Sequence, residues 1–206
     1  DVTYGNGTFV AIATAATNIS ATSPDGITWT QRTMSNSASW TGVTFGNGTF
    51  VAVAGNSTIA ATSPDGISWT SRTLPISANW TDVSFGNGVF LAVANGTNAA
   101  ATSPDGITWT QQTMPISAAW FYTAFGNGIF VAVTGTVGTD AATSPDGITW
   151  TLRTLPVSAT WSSVGYGNGV FTAIANNSTV AATSSDGILW TQQTMPAALP
   201  WRNVRY

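Results

Sequence analysis

Hydrophobic and polar residues alternate along short stretches of the chain, and glycine-rich turns separate these stretches. Within the segment 40–45, Val43 and Phe45 fall on one face and the residue between them falls on the other, which is typical of a β-strand. The Gly-Asn-Gly sequence at 46–48 favours a tight hairpin, because asparagine and glycine tolerate a positive φ. The residues 49–54 alternate again. The pattern therefore predicts antiparallel strands joined by short turns.

Two further strands complete the unit. A run of small residues at 59–63 and a run carrying Trp69 at 67–73 flank the sequence Pro-Asp-Gly at 64–66. This sequence predicts a tight turn, because proline fixes φ and Asp-Gly accepts the conformation that ends such a turn. The unit is therefore predicted to be a meander of four antiparallel strands.

The unit occurs five times in the 206 residues. Three landmarks recur at intervals of 40 or 41 residues, namely a tryptophan that opens the first strand, a second tryptophan early in the fourth strand, and the Gly-Asn-Gly turn. The first series comprises Trp40, Trp80, Trp120, Trp161 and Trp201. Four antiparallel strands in about 40 residues, repeated five times, are typical of a β-propeller. We therefore predict an all-β, five-bladed β-propeller that forms a single domain over residues 1–206.

Two other repeat architectures fit the pattern less well. A β-solenoid repeat usually has fewer strands and a shorter period than this unit. A helical repeat is excluded by the content of threonine, valine and glycine and by the alternation with a period of two.

The two ends of the chain compete for one place in the ring. Residues 1–4 match residues 82–85 but lack the tryptophan that precedes them, whereas residues 201–206 form an extra first strand that begins with this tryptophan. We expect the longer C-terminal strand to pair with residues 8–13 and to close the ring, which removes an exposed sheet edge and displaces the N-terminal residues. The protein is then a monomer. If both strands remain free, chains can instead link into oligomers by strand exchange.

The composition excludes several kinds of site. Charged residues make up only 6% of the chain, the net charge is -3, and there is no cysteine and no histidine. A disulfide framework or a thiolate metal site is therefore impossible, and the five arginines form no basic stripe for nucleic acid. No apolar run is long enough to insert into a membrane as a helix. We find no catalytic constellation, metal ligands or cofactor motif, and expect that the protein is not an enzyme and needs no cofactor.

The second turn of each unit carries a recognisable motif. The sequence Ser-Pro-Asp-Gly-Ile-Ser-Trp at 63–69 recurs with small changes from Ser23, Ser103, Ser144 and Ser184. It resembles the Asp-box (BNR) repeat of sialidase-like propellers, although it has one residue fewer between aspartate and glycine. The resemblance implies a hairpin between the third and fourth strands, in which the aspartate accepts turn N–H groups and the tryptophan packs beneath it. It does not extend to sialidase activity, because those enzymes require a glutamate and this chain has none.

The predicted meander places the two invariant turns of the unit on one face and the variable loops on the other. Binding residues collect in loops on a rigid scaffold, so we expect the variable face to bind a ligand. The tryptophans that open the first strands lie next to this face. They are either packed between blades or exposed as platforms on which sugar rings stack. The candidate ligand-binding residues are Trp40, Trp80, Trp120, Trp161, Trp201, Asn56, Asn95 and Asn98.

These observations favour a non-enzymatic binding module. The first hypothesis is a multivalent, lectin-like surface that binds a glycan, as in a phage or bacterial adhesin, because several weak sites on one ring gain avidity. The second is a structural or protein-binding module of a fibre or appendage, and the third is a glycoside hydrolase, for which the catalytic groups are missing. The surface, rich in threonine, serine, asparagine and glycine, leads us to expect an extracellular location, either secreted or on a virion.

Overall fold

The computed structural model describes residues 1–204, and this range consists of strands, turns and short connections without a helix. Twenty strands form five separate sheets, and each sheet takes its four antiparallel strands in chain order. We call these sheets blades 1 to 5.

The bounds of the strands repeat closely from blade to blade. Blade 1 contains β1 (Val2–Gly5), β2 (Thr8–Ile12), β3 (Thr17–Ser23) and β4 (Thr30–Ala38). Blade 2 contains β5 (Trp40–Gly46), β6 (Thr49–Ala54), β7 (Ser57–Ser63) and β8 (Thr70–Ala78). Blade 3 contains β9 (Trp80–Gly86), β10 (Val89–Ala94), β11 (Thr97–Ser103) and β12 (Thr110–Ala118). Blade 4 contains β13 (Trp120–Gly126), β14 (Ile129–Thr134), β15 (Gly138–Ser144) and β16 (Thr151–Ala159). Blade 5 contains β17 (Trp161–Gly167), β18 (Val170–Ala175), β19 (Ser178–Ser184) and β20 (Thr191–Leu199).

Consecutive blades pack side by side, with the first strand of each blade innermost. Strand β1 lies against β5, β5 against β9, β9 against β13, and β13 against β17. The prediction of an all-β, five-bladed propeller is confirmed by this arrangement. Blades 1 and 5 form no such junction. Within residues 1–204, no strand of blade 1 packs against a strand of blade 5 to the extent seen between consecutive blades.

The hydrophobic core lies between the blades. At the junction of blades 2 and 3, Val51 and Leu74 from one sheet pack against Trp80, Val83 and Phe90 from the next. Because an interior blade is covered on both faces, its second strand is buried almost throughout, which explains why this strand reads as a nearly continuous hydrophobic run. Packing between sheets therefore supplies the apolar burial that a single four-stranded sheet cannot achieve alone.

A glycine at the end of the inner strand permits the close approach of the next blade in blades 1 to 4, at Gly5, Gly46, Gly86 and Gly126. A Cβ atom at Gly46 would lie 2.1 Å from the Cγ atom of Phe85 in the next blade. The ring of Phe85 in turn packs on Phe90, with ring centroids 4.7 Å apart. Any side chain at position 46 would therefore push the two blades apart.

The aspartates of the repeated motif fix the turn between the third and fourth strands. In blade 2, Asp65 Oδ1 accepts hydrogen bonds from the N–H groups of Ile67 and Ser68, at 2.8 and 2.9 Å, and from the hydroxyl of Ser63 at 3.0 Å. The indole N–H of Trp69 donates to the carbonyl oxygen of residue 66 at 3.1 Å. The same bonds form around Asp25, Asp105, Asp146 and Asp186. The prediction that these five carboxylates are turn acceptors is confirmed.

The two invariant turns meet on one face, as predicted. The side-chain amide of Asn47 in blade 2 donates to the carbonyl oxygen of Pro104 in blade 3 at 3.2 Å. Asn87 donates to Pro145 in the same way at 2.9 Å. The Gly-Asn-Gly turns of blades 2, 3 and 4 are thereby tied to the aspartate turn of the following blade, which leaves the opposite face as the one with variable loops.

The predicted closure by the C-terminal strand is wrong for the described residues. Strand β2 pairs with β1, in the register Val2 with Ala11, so the N-terminal residues are not displaced. Residues 201–204 lie beside β17 instead, where the hydroxyl of Ser162 donates to the carbonyl oxygen of Trp201 at 2.8 Å. Residues 205 and 206 lie outside the described range. The connection after β20 explains this placement. It resembles the short connections that lead from the last strand of each earlier blade to the first strand of the next.

The turn carboxylates generate a prediction about pH. In each turn the largest effect comes from the backbone N–H three residues beyond the aspartate, which helps to hold the pKa of Asp25, Asp65, Asp105, Asp146 and Asp186 below the ordinary value of 3.8. The unfolded chain therefore binds protons at a higher pH than the folded chain. This stabilisation is fully present above the ordinary pKa and is lost as the pH falls through the lower folded-state values.

We expect the melting temperature to be nearly constant between about pH 5 and 8, because the chain has no histidine or cysteine to titrate there. It should fall steeply below about pH 4. Calorimetry across this range tests the prediction, and an Asp65→Asn variant serves as a control that should lose less stability on acidification. A melting temperature that rises below pH 4 would contradict the assigned role of the turns.

Candidate functional site

Four of the five tryptophans predicted as ligand platforms are inaccessible. Trp40, Trp80, Trp120 and Trp161 are each 0% exposed and belong to the cores between blades. The indole N–H of Trp120 donates to the carbonyl oxygen of Ile116 at 3.1 Å. The structure supports the packing interpretation for these four residues, and their assignment as exposed platforms is wrong. The physical reason is that each indole lies under the flank of the neighbouring blade.

The remaining candidates are partly or fully accessible but do not converge. Trp201 is half-buried, and its indole N–H donates to the carbonyl oxygen of Ala197 at 3.0 Å. Asn56 is exposed in a turn with a φ of 53°, and Asn98 is exposed on β11. Asn95 is half-buried at the preceding turn. None of the four lines the pocket described next, so a role in ligand binding stays a prediction for them.

A pocket opens on the variable face between blades 4 and 5. Its volume is about 180 Å³. It collects residues from β13, from the β14–β15 loop, from the start of β17, from the β18–β19 turn and from the C-terminal segment. The lining residues are Phe121, Tyr122, Gly135, Thr160, Trp161, Ser162, Asn176 and Arg202.

The aromatic side of the pocket is a departure from the repeat. Residues that follow the first tryptophan of a blade are Thr-Gly in blade 2, Thr-Asp in blade 3 and Ser-Ser in blade 5, but Phe121-Tyr122 in blade 4. The two rings lie 6.2 Å apart between centroids. Gly135 makes room for them, because a Cβ atom there would lie 2.4 Å from the ring of Phe121. The pair is not among the residues predicted from the sequence, although the five units differ visibly at this position.

The polar side of the pocket contains an unsatisfied acceptor. The side-chain oxygen Oδ1 of Asn176 is buried and has no hydrogen-bond partner within the described residues. The backbone N–H of Asn176 donates to the carbonyl oxygen of Thr160 at 2.8 Å, which fixes the residue at the turn. A buried acceptor without a partner costs about 1–3 kcal/mol. A ligand donor that met this oxygen after the Asn176 side chain turned toward the pocket would remove this cost.

The inner strands contain a buried carboxylate that the sequence did not single out. Asp82 is nearly inaccessible, and its Oδ2 atom accepts hydrogen bonds from the backbone N–H and the hydroxyl of Thr123, at 2.7 and 2.8 Å. It therefore joins blade 3 to blade 4. A second cavity, of about 170 Å³, lies nearby and is lined by four inner strands that include Thr44, Ser84 and Tyr166. No group of three or more acidic, histidine or cysteine side chains in residues 1–204 could hold a metal ion.

No helix in the described range is long and apolar enough to cross a membrane.

The architecture is that of the propeller-type proteins. No protein-family model matches the sequence, and no curated protein matches it, so membership of the Asp-box family is not established. The streptogramin B lyase structure superposes with a TM-score of 0.85 and 12% identity, covering 98% of this chain and 70% of that chain. Virginiamycin B lyase from Staphylococcus aureus gives a TM-score of 0.83 and 15% identity, covering 95% of this chain and 69% of that chain. The structure of YCF48 bound to D1 peptide gives a TM-score of 0.69 and 18% identity, covering 94% of this chain and 66% of that chain.

These likenesses correct one expectation. The sequence led us to expect that the protein is not an enzyme, but two of the similar structures are lyases. The fold therefore accommodates catalysis, and a firm exclusion of enzymatic activity is contradicted. At such low identities the likeness itself establishes the fold alone.

The difference in burial between Trp80 and Trp29 predicts that their substitution affects the stability of the protein to different extents. Trp80→Ala should destabilise the protein by about 3–5 kcal/mol, because it opens a large cavity between blades. Trp29→Ala should cost no more than about 1–2 kcal/mol, because Trp29 is 41% exposed on the open side of blade 1. Denaturant titrations of both variants measure the difference, with Trp80→Phe as a milder substitution if the alanine variant does not fold. Equal losses at the two positions would contradict the described packing.

Proposed function

We propose that this protein is a binding module that holds a carbohydrate in the pocket between blades 4 and 5. The observation that carries the proposal is an aromatic pair beside a buried unpaired acceptor, a combination that residues 1–204 show only at this pocket. Phe121 and Tyr122 supply the apolar surface, and Asn176 Oδ1 supplies the acceptor.

The chemistry of the lining suits a sugar. One face of a pyranose ring is a patch of C–H groups that packs on an aromatic ring, while its rim carries hydroxyl groups. Those hydroxyls can donate to Asn176 and can exchange hydrogen bonds with Thr160 and Ser162. The guanidinium group of Arg202, exposed at the edge of the pocket, adds donors for an acidic or hydroxyl substituent.

The size of the pocket limits what it can hold. Its volume of about 180 Å³ is smaller than the roughly 300–1,000 Å³ of most small-molecule sites. We therefore expect a single sugar residue to enter and the rest of a glycan to lie across the variable face. The proposal therefore has one binding site in place of the five equal sites predicted from the tryptophan series. A secreted or virion-surface location suits such a module and remains part of the proposal.

A peptide is the second candidate ligand. YCF48, which is similar in fold, is described in complex with D1 peptide. An extended peptide could place one donor at Asn176 and an apolar side chain against Phe121. The two ligand classes are separated by the experiment that follows.

A glycan array followed by calorimetric titration of the best monosaccharide tests the proposal. The variant Phe121→Thr gives blade 4 the residue that blades 2 and 3 carry at this position, so the fold should persist. It should weaken binding by about tenfold, which corresponds to about 1.4 kcal/mol and is reasonable for the loss of one large apolar contact.

The control variant is Thr41→Val at the equivalent position of blade 2. It removes hydrogen bonds from the hydroxyl of Thr41 to the carbonyl oxygens of Val53 and Trp80 without touching the pocket, and should leave the affinity unchanged. Sugar binding that is equal in the Phe121→Thr variant and the parent protein would refute the site. Binding of a peptide library with no glycan bound at millimolar concentration would favour the second candidate.

A further inference from the structure

A pocket of about 180 Å³ lies at the junction of blades 2 and 3, on the face of the invariant turns. Blade 2 lines it with the start of β6, the end of β7 and the start of β8, and blade 3 lines it with the turn between β11 and β12. Its lining contains one cation and one anion, Arg72 and Asp105, together with several hydroxyl groups. We call it the arginine pocket. It is separate from the pocket between blades 4 and 5, which opens on the opposite face.

The guanidinium group of Arg72 is held in place by blade 2 itself. Its Nε atom donates to the hydroxyl oxygen of Thr62 at 2.9 Å. Arg72 is half-buried and Thr62 is buried, so water competes little for this bond. Within residues 1–204 the guanidinium group makes no other hydrogen bond. Its two terminal nitrogens therefore keep their donors for a ligand, and such a planar pair of donors suits the two oxygens of a carboxylate.

The carboxylate of Asp105 is fixed equally firmly by the turn in blade 3. Its Oδ1 atom accepts from the N–H groups of Ile107 and Thr108 at 2.8 and 2.9 Å, and from the hydroxyl of Ser103 at 3.0 Å. The N–H group of Thr108 has the largest effect and helps to hold the pKa of Asp105 below the ordinary value of 3.8. The group is therefore charged at neutral pH. No partner of Oδ2 is found among residues 1–204, so this oxygen is a charged acceptor open to a ligand.

The two charged groups share one pocket without neutralising each other. The side-chain amide of Asn47 donates to the carbonyl oxygen of Pro104 at 3.2 Å, which fixes the turn that carries Asp105 relative to blade 2. Arg72 and Asp105 form no ion pair with each other in the described chain. Ile107, 47% exposed, adds an apolar surface to the lining. The pocket therefore presents a preorganised positive group, a preorganised negative group and a short apolar surface.

We propose that the arginine pocket binds a small zwitterion, a molecule with a carboxylate and an ammonium group on a short hydrocarbon chain, such as an amino acid. The carboxylate pairs with Arg72, the ammonium group donates to Oδ2 of Asp105, and the hydrocarbon chain packs on Ile107. The volume lies below the roughly 300–1,000 Å³ of most small-molecule sites, which limits the ligand to a few atoms. Because water screens partly exposed charges, the dissociation constant should be in the millimolar range.

The repeat itself contains a comparison for this site. Arg32 in blade 1 and Arg153 in blade 4 donate to the equivalent threonine at 3.0 and 2.9 Å. In blade 3 the position is Gln112, and its side-chain amide donates to Thr102 at 3.0 Å. The junction of blades 3 and 4 therefore keeps a turn carboxylate, that of Asp146, but has no guanidinium group beside it. It should not bind the zwitterion.

Titration of the full chain with γ-aminobutyrate, followed by NMR of the backbone amides, tests the proposal. The N–H group of Ile107 donates to Asp105, and that of Ile148 donates to Asp146 in the same way. The signal of Ile107 should shift and saturate, whereas that of Ile148 should not. Butyrate and butylamine each lack one of the two charges and should bind about fivefold more weakly, as expected for the loss of one partly exposed ion pair.

Two exchanged residues then identify the guanidinium group as the determinant. Arg72→Gln copies Gln112, which makes the equivalent hydrogen bond, so the fold should persist and the affinity should fall about fivefold. Gln112→Arg should make Ile148 respond to γ-aminobutyrate. Asp105→Asn keeps an acceptor for the turn and should abolish the preference for γ-aminobutyrate over butyrate.

Three results would overturn the proposal. The first is no shift of the Ile107 signal up to about 100 mM ligand, a concentration at which even a very weak complex forms. The second is an equal response of Ile107 and Ile148 in the parent protein, or an Ile148 signal that stays unresponsive in the Gln112→Arg variant, because the guanidinium group would then play no part. The third is equal affinity of the parent protein for butyrate and γ-aminobutyrate, because Asp105 would then not recognise an ammonium group.

Discussion

The contact between one inner strand and the next is the interaction on which the rest of this structure depends. A four-stranded sheet buries little by itself, so each blade obtains its stability from the flank of its neighbour. The opening tryptophans Trp40, Trp80, Trp120 and Trp161 are buried between blades, and the carbonyl oxygens of Trp80 and Trp120 accept hydrogen bonds from the hydroxyls of Thr41 and Thr81. Each of these hydrogen bonds fixes the register of the two strands, and the apolar packing around it excludes water. At the other end of the inner strand, Gly46 leaves room for Phe85 of the next blade, and the side-chain amide of Asn47 donates to the carbonyl oxygen of Pro104.

Local chemistry explains why so much of the fold could be predicted. The turn around Asp65 is determined by residues within five positions of each other, so its hydrogen bonds followed from the sequence alone. The repeat length and the alternation of hydrophobic and polar residues could likewise be read directly from the sequence. The neighbour of residues 201–204 could not be predicted in this way, because this segment matches the first strand of any blade and only the curvature of the array decides which strand it meets. Likewise, whether Trp80 is packed or exposed depends on how closely the next blade approaches.

The candidate site illustrates a different limit. The candidate pocket lies on the face that the sequence predicted to carry the variable loops, opposite the invariant turns. Within that face, however, the pocket depends on exceptions to the repeat, Phe121 and Tyr122, and on an atom whose lack of a partner is visible only in three dimensions, Oδ1 of Asn176. In a repeat protein the scaffold is the part that recurs. A residue that breaks the pattern while remaining well packed is therefore a better guide to function than one that recurs five times.

Amide hydrogen exchange followed by NMR is the most direct test of the repeating junction. The N–H groups of Val43, Thr123 and Val204 each donate across a junction, whereas the N–H group of Val2 donates only to the adjacent Asp1. Protected amides exchange only when the structure opens. The account predicts slow exchange at Val43 and Thr123, measurable protection at Val204, and fast exchange at Val2 in dilute protein. Exchange at Val204 as fast as at Val2 would show that blade 5 does not hold residues 201–204 through the hydrogen bond from Val204 to Ser163.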